Sequence, residues 1–319
     1  MPYDREKQVA LDAVLAAARL CERVRQEIPP AIEKGDKSPV TVADFGSQAI
    51  ICKAISEAFP DDAIVGEEDA TVLRTPEMTD NLAKVTDYVK EILPEATPED
   101  VATWIDRGNG GVGRRFWTLD PIDGTKGFLR KDQYAIALAL IEDGEVKLGI
   151  MGCPAYPTDT DIPGMVFVAV RGEGATTKPI AAGEFAPIRV VKADDAENMR
   201  FVESVEAAHG NQSRQNAIAQ AVGITSPSVR MDSQAKYGAV ASGQAALYLR
   251  LPSPKYPDYR ENIWDHAAGA IVVEEAGGRV TDMNGKPLDF ASNSKMLDNR
   301  GVVVSNGIIH DTVLAALKA

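Results

Sequence analysis

The sequence predicts a mixed protein of the α+β and α/β classes, built from two lobes. Three observations carry this prediction. At 319 residues and 45% hydrophobic content, the chain can bury a large core, and its length favours two lobes over one compact domain. A helical start is followed by a run of strands, and beyond about residue 185 strand-like and helix-like segments alternate. We therefore expect an N-terminal α+β lobe over residues 1–185 and a C-terminal α/β lobe over residues 186–319.

The first quarter of the chain predicts helices around one short strand. Apolar residues recur at helical spacing over residues 4–27, which indicates an amphipathic helix. A second helix is predicted over residues 44–59, and residues 63–65 have the character of a short strand. Residues 69–103 are charged and contain three prolines, so we expect a peripheral excursion with one helix near residues 79–93 and no chemistry.

From Phe116 the pattern changes to strands, which predicts an antiparallel meander. Asp143 and Gly144 separate two of these strands and form the kind of pair that favours a hairpin turn. The predicted strands cover residues 116–123, 134–141, 146–152 and 165–172.

The second half of the chain mixes the two patterns and predicts an α/β lobe. Strand-like segments lie at residues 199–206, 228–233 and 248–252. Helix-like segments lie at residues 213–223, 239–247 and 264–276, and a strand and a helix close the chain. Residues 252–261 are rich in proline and predict a surface loop.

The charge of the chain limits its partners. A net charge of −13 and a pI near 4.8 argue against binding nucleic acid or an anionic membrane through a broad basic face. An anionic phosphate substrate would then need cations supplied locally, and carboxylates that hold Mg²⁺ can supply them. We expect small-molecule substrates, no nucleic acid partner, no membrane partner and a monomer.

The cysteines and the N-terminus indicate a cytoplasmic protein. Cys21, Cys52 and Cys153 are scattered and form no CxxC pair, so neither a disulfide framework nor a zinc site is predicted. The N-terminus carries acidic residues and lacks a continuous apolar segment, unlike a signal peptide. No apolar run approaches the roughly 20 residues that span a bilayer.

The stretch DPIDGT, Asp120 to Thr125, carries the most chemical information. Asp120 and Asp123 flank a proline that fixes the turn, so both carboxylates can point at one hard cation. The Ile122 carbonyl can add a third oxygen. Gly124 and Thr125 then offer backbone N–H groups to a phosphate at a predicted helix start. Taken alone, the same stretch also fits a solvated Asp-Gly turn.

Three more acidic residues extend this pattern, and each has an ordinary alternative. Glu67 follows a short strand and also fits a solvated turn. Asp265 opens a predicted helix, where the helix dipole favours an acid in any case. Asp44 is placed as the N-cap of the second helix.

In this order, the pieces D, GEE, DPIDGT and WDxxxG resemble the lithium-sensitive, magnesium-dependent phosphatase superfamily that includes the inositol monophosphatases. Four longer segments resemble one family within it, the 3′(2′),5′-bisphosphate nucleotidases. These segments are GRRFWTLDPIDGTKGFLR (113–130), MDSQAKY (231–237), YLRLP (248–252) and IWDHAAG (263–269). The resemblance covers nearly the whole chain. It implies a two-lobed, layered αβαβα sandwich with the site in the cleft between the lobes.

The resemblance also implies the site residues by position. The implied metal ligands are Glu67, Asp120, the Ile122 carbonyl, Asp123 and Asp265. The implied catalytic pair, which orients and deprotonates the attacking water, is Asp44 and Thr125. The implied substrate contacts are Thr125, His209, Ser233, Lys236, Arg250 and Asp265. The implied cofactor is Mg²⁺, as two or three ions, with inhibition by Li⁺ and Na⁺.

The implied reaction removes the 3′-phosphate of 3′-phosphoadenosine 5′-phosphate (PAP) to give AMP, and that of its sulfated form PAPS to give adenosine 5′-phosphosulfate. A water that the metal activates attacks in line. Two alternatives stay open: an inositol or sugar phosphate phosphatase of the same superfamily, and an inactive metal-binding or regulatory protein on the same scaffold. The intact set of carboxylates argues against the second.

Overall fold

The structure, a computed structural model, describes residues 2–27, 32–33, 39–40, 42–205 and 212–318. The helices in these ranges are α1 (Asp4–Glu27), α2 (Val42–Ala58), α3 (Thr79–Lys90), α4 (Pro98–Asp106), α5 (Thr125–Arg130), α6 (Gln212–Ala221), α7 (Ala235–Ala241), α8 (Ala267–Glu275) and α9 (His310–Lys318). The strands before residue 160 are β1 (Ile32–Glu33), β2 (Pro39–Val40), β3 (Ala63–Gly66), β4 (Arg115–Asp123), β5 (Ala135–Glu142) and β6 (Glu145–Cys153). The later strands are β7 (Met165–Val170), β8 (Gly174–Pro179), β9 (Ala186–Pro187), β10 (Phe201–Glu203), β11 (Val229–Arg230), β12 (Leu247–Arg250), β13 (Arg279–Thr281) and β14 (Val302–Ser305).

The larger sheet has the order β3-β4-β5-β6-β7-β8-β9. Strands β4 to β9 pair antiparallel in chain order, which confirms the predicted meander. Strand β3 pairs parallel to β4. The β5–β6 turn places Asp143 at φ 52° and Gly144 at φ 79°, the left-handed conformations that a tight hairpin needs.

The second sheet has the order β11-β10-β12-β14-β13 and mixes parallel and antiparallel pairs. Strand β9 of the larger sheet ends at Pro187, and the second sheet's first strand in the chain begins at Phe201. The predicted lobe boundary near residue 185 lies close to the end of the larger sheet, and it stays a prediction.

In the part of the chain that the structure describes, three apolar cores fill the four interfaces between five layers, because the second core lies on both sides of α7 and α8. Because side chains alternate across a strand, Trp117 of β4 faces a core formed with α1 and α2, whereas Phe116 faces the opposite core. That second core contains α7 and α8 and one face of the smaller sheet, including Val304. The other face of the smaller sheet packs its Leu249 against α6 and α9. The layered αβαβα sandwich is confirmed.

Helix α8 lies close to its neighbours because glycines face them. A Cβ on Gly149 of β6 would lie 2.4 Å from Ile271 and 2.8 Å from the Ala268 carbonyl of α8. A Cβ on Gly269 of α8 would lie 2.4 Å from the Tyr237 ring of α7. The short separation holds the start of α8, with the residues that precede it, against the larger sheet.

Three predicted elements were wrong in detail. Residues 69–103 contain α3 and the start of α4, because Pro98 begins α4 and Thr97 caps it in a reciprocal capping box. The helix expected over residues 239–247 is α7, which ends at Ala241 because Gly243 turns the chain at φ 75°. Helix α2 begins at Val42, so Asp44 lies in its first turn and is not its N-cap.

None of the described helices combines the length and the apolar character needed to cross a bilayer. Cys21, Cys52 and Cys153 are free cysteines with buried side chains.

Candidate active site

The predicted carboxylates meet where β3 and β4 end. These strands run parallel, so the segment after Gly66 and the end of β4 share one edge of the sheet. The Glu67 N–H donates to the Leu119 carbonyl at 3.2 Å, which sets Glu67 beside Asp120. Asp265 reaches the same place from a 3₁₀ turn that precedes α8.

Asp120 shows the electrostatic character of this cluster. Burial raises the pKa of its carboxyl well above the ordinary value, and the charges of Glu67, Asp123, Asp265 and Asp44 raise it further. The side chain is 2% exposed, and its Oδ1 is buried with no hydrogen-bond partner among the residues that the structure describes. Like charges gathered in a buried place favour protonation or a bound cation.

Asp123 is held by a contact between the lobes. The Gln234 N–H donates to Asp123 Oδ2 at 2.5 Å. Burial raises the pKa of Asp123, against the opposing effects of Lys236, the Gln234 hydrogen bond and Arg250. Asp123 thus belongs to the acidic cluster and also faces the basic side chains of the cleft.

The Thr125 hydroxyl donates to the Ile122 carbonyl at 3.3 Å. Helix α5 begins at Thr125, as expected, after Gly124 at φ 89°. Asp44 is 2% exposed, and its charge contributes to the raised pKa of Asp120, so it lies at the cluster. The pairing of Asp44 with Thr125 stays a prediction.

A cleft of about 210 Å³ opens beside these carboxylates. Its lining includes Glu67, Asp123, Thr125, Ser233, Lys236, Arg250 and Asp265. The structure therefore brings together most of the site residues that the sequence predicted. His209 lies outside the described residues.

Lys236 and Arg250 form a basic end to the cleft. Lys236 is 3% exposed, and its ammonium lies 5.2 Å from the centre of the Tyr248 ring. Burial lowers the pKa of Lys236 to about 8, although the charge of Asp123 opposes this shift. Ser233 lies beside them at φ 63°, a conformation that is rare for a residue with a side chain.

Glu261 holds Arg250 in place. Arg250 Nε donates to Glu261 Oε1 at 3.0 Å, and Glu261 Oε2 lies 3.5 Å from His266 Nε2. Burial would raise the pKa of Glu261, but Arg250 and His266 outweigh it and lower that pKa to about 2. His266 Nδ1 pairs with the Tyr237 hydroxyl at 2.7 Å.

Sequence reasoning missed Glu261 and Gln234. We expected Glu261 to lie at the end of a surface loop over residues 252–261, but its side chain is only 11% exposed. The predicted end of the surface loop at residue 261 was therefore wrong. Gln234 is 1% exposed; its amide oxygen accepts from the Gly269 N–H and its amide nitrogen donates to the Trp264 carbonyl. Their partners lie far away in the chain, and no local motif marks them.

The donor set fits a hard divalent cation. Glu67, Asp120, Asp123 and Asp265 supply carboxylate oxygens, the ligands that Mg²⁺ prefers. The buried, unpartnered Oδ1 of Asp120 and the mutually raised pKa values are what a cation would relieve. The group of described residues whose ligand atoms lie within 4.8 Å of one another is a different one, Glu261, Asp265 and His266. Because Arg250 already neutralises Glu261, we assign that triad to an ion-pair network.

Known proteins match the chain over its full length. Residues 5–319 match the inositol monophosphatase family. Proteins named 3′(2′),5′-bisphosphate nucleotidase from Emericella nidulans and Schizosaccharomyces pombe are each 42% identical, with 100% of this chain and 99% and 96% of theirs covered. One from Arabidopsis thaliana is 41% identical, with 100% and 97% covered.

Solved structures show the same fold. An inositol monophosphatase from Anabaena has a TM-score of 0.66 at 20% identity and covers 100% of this chain and 97% of its own. CysQ from Bacteroides thetaiotaomicron, a bacterial member of the same family, has a TM-score of 0.63 at 20% identity and covers 96% and 98%.

The fold and its buried carboxylate cluster define the class of metal-dependent phosphatases. The chain belongs to the inositol monophosphatase family. Its full-length relatives within that family are 3′(2′),5′-bisphosphate nucleotidases, which confirms both resemblances and the enzyme class that the motifs predicted.

Proposed function

We propose that the protein hydrolyses the 3′-phosphate of PAP to give AMP and orthophosphate, and that of PAPS to give adenosine 5′-phosphosulfate. One observation carries the proposal. The cleft combines an acidic end with a basic end formed by Lys236 and Arg250, in a chain whose full-length relatives bear that enzyme name. A substrate with two separated anionic groups matches these two ends.

The acidic end holds the 3′-phosphate through Mg²⁺. Glu67, Asp120, the Ile122 carbonyl, Asp123 and Asp265 are the proposed ligands of two or three ions. Bound Mg²⁺ supplies charge neutralisation for the transferring phosphoryl group and lowers the pKa of a water. Li⁺, and more weakly Na⁺, would inhibit by competing for these ligands.

Asp44 and Thr125 handle the proton of the attacking water. The Thr125 hydroxyl barely ionises, so it orients the water and passes the proton on. The Asp44 carboxylate, buried in the first turn of α2, receives that proton. No covalent intermediate on the protein is needed.

The basic end holds the rest of the nucleotide. Lys236 and Arg250 bind the 5′-phosphate with charge-assisted hydrogen bonds. Ser233 and His209 complete the nucleotide contacts, together with Thr125 and Asp265. The protein acts as a monomer on small molecules.

A substrate panel tests the proposal. With Mg²⁺ present, we expect kcat/KM for PAP to exceed that for inositol 1-phosphate by at least tenfold, with PAPS close to PAP. Inositol 1,4-bisphosphate separates a requirement for two phosphates from a requirement for the nucleoside. Millimolar Li⁺ in the same assay should inhibit. Equal turnover of PAP and inositol 1-phosphate would favour an inositol phosphatase, and no phosphate release from any substrate would indicate an inactive scaffold.

A further inference from the structure

Glu261 lies outside every set of residues assigned so far to metal, water or nucleotide, yet it contacts two residues that line the cleft, Arg250 and His266. Its backbone is fixed by the Met296 N–H, which donates to the Glu261 carbonyl at 2.9 Å. One carboxylate oxygen accepts a hydrogen bond from Arg250 Nε at 3.0 Å, and the other lies 3.5 Å from His266 Nε2.

The hydrogen bond from Nε to Glu261 determines which N–H donors of Arg250 can bind a ligand. An arginine carries five N–H donors in a planar fork, and a carboxylate on Nε occupies one side of that plane. The side chain of Arg250 lines the cleft and is 24% exposed. With Nε committed to Glu261 and the Tyr248 hydroxyl as a further partner, the other terminal N–H groups remain for a ligand. A long side chain held in this way loses less conformational entropy when it binds an anion.

The second contact, with His266, connects Glu261 to the other cation of the basic end. His266 follows Asp265 in the chain and precedes α8, and its other ring nitrogen pairs with Tyr237 of α7 at 2.7 Å. Tyr237 in turn stacks edge-on with Tyr248, whose ring lies under the Lys236 ammonium. A chain of contacts from Glu261 thus reaches both cations of the basic end.

We propose that Glu261 is a positioning residue that orients Arg250 for the second phosphate of the substrate. The proposal rests on the function proposed above. It assigns Glu261 no contact with substrate and no role as a metal ligand. Glu261 acts through the Arg250 guanidinium, so its loss should affect substrates with a second phosphate and spare those without one.

The chain offers a closely matched control. Asp62 accepts a hydrogen bond from Arg115 Nε at 3.0 Å, and the two side chains are 11% and 26% exposed, respectively. The Glu261–Arg250 pair has the same distance, 3.0 Å, and its side chains are 11% and 24% exposed, respectively. Asp62 and Arg115 are not among the residues that line the cleft. Asp62→Asn therefore neutralises a carboxylate that pairs with an arginine Nε at the same distance and exposure elsewhere in the fold, where Arg115 keeps its ion pair with Glu6.

The kinetic test compares PAP with adenosine 3′-monophosphate, which lacks the 5′-phosphate. For Glu261→Gln we expect KM for PAP to rise about tenfold with kcat within about threefold, and both constants to stay unchanged for the monophosphate. In an Arg250→Ala background, Glu261→Gln should add no further loss. Asp62→Asn should leave both substrates unaffected.

Several results would overturn the proposal: equal losses on both substrates, losses that add to those of Arg250→Ala, a changed Mg²⁺ requirement in Glu261→Gln, or the same selective loss in Asp62→Asn. A second measurement does not depend on activity. By ¹⁵N NMR, with Arg250→Lys for assignment, hydrogen exchange at Arg250 Nε should be at least tenfold faster in folded Glu261→Ala than in the wild type. If the wild type does not hydrolyse PAP, the proposed function fails, and unchanged exchange alone would then refute the positioning role.

Discussion

The two ends of the cleft handle buried charge in opposite ways. At the acidic end, burial and mutual repulsion raise the pKa of Asp120 and Asp265, so the carboxylates oppose one another's ionisation. At the basic end, Arg250 keeps its charge: burial acts to lower its pKa, but Glu261, Tyr248 and Asp265 together outweigh burial and raise that pKa. The acidic end depends on cations from solution for its neutralisation, whereas the basic end carries its own counter-charge.

This difference follows from what each end must bind. A buried charge costs several kcal/mol unless it is paired, so each end needs a partner. The buried Oδ1 of Asp120, which has no hydrogen-bond partner among the described residues, is available to a metal, while a guanidinium held by Glu261 is oriented and still has donors to offer. Metal dependence and substrate selectivity should therefore respond to different mutations.

The largest expected effect lies at the acidic end. Asp123→Asn should lower Mg²⁺-dependent turnover of every substrate by roughly three decades or more, because a neutral amide binds a hard cation poorly and metal stabilisation is worth several kcal/mol. The amide oxygen can still accept from the Gln234 N–H, so the fold should remain. Steady-state phosphate release and thermal unfolding check both points, with the exposed Asp143→Asn as control. Near-wild-type turnover would refute the metal assignment.

A smaller and selective effect is expected at the basic end. Lys236→Ala and Arg250→Ala should each lower kcat/KM for PAP by about one to two decades, since a charge-assisted hydrogen bond contributes roughly 1.5–3 kcal/mol. Turnover of adenosine 3′-monophosphate should barely change. Arg115→Ala, outside the cleft lining, controls for the loss of a buried arginine.

Equal losses on the two substrates, in variants shown to be folded, would make Lys236 and Arg250 structural residues. The contrast between the two ends of the cleft would then not hold.

The smallest effect concerns pH. Burial lowers the pKa of Lys236 to about 8, so its charge is present below that pH and lost above it, whereas Arg250 stays charged. We expect kcat/KM for PAP to fall severalfold, relative to adenosine 3′-monophosphate, between about pH 7.5 and 9. Lys236→Gln should remove this difference between the two profiles. A difference that persists in Lys236→Gln would locate the titrating group elsewhere.

The acidic end could be predicted from sequence because its chemistry is local. Asp120 and Asp123 lie three residues apart on one strand, whereas Glu67 and Asp265 joined them only through the resemblance. The mixed fold class was predicted from helical spacing and the strand run, and the layered sandwich was implied by the resemblance. The limits of α4 and α7 were harder to predict, because a single capping residue, Thr97, and a single turning residue, Gly243, set them.

The basic end could not be read from the residues alone. Arg250 and Lys236 became candidates only through resemblance, since an isolated strand-end arginine is usually exposed. Glu261 and Gln234 act through partners 11, 35 and 111 residues away, and a sequence pattern does not display such pairings. Tertiary packing makes these side chains functional.

The close packing of α8 has a consequence for how this enzyme can change over evolutionary time. Gly149 and Gly269 carry no functional group, yet a single methyl at either one would meet neighbouring atoms at 2.4 Å. The displaced helix would carry Asp265 away from Asp120, so a substitution in the apolar core would change the spacing of two proposed metal ligands. We therefore expect natural substitutions of Gly149 and Gly269 to be as restricted as substitutions of Asp120 and Asp265.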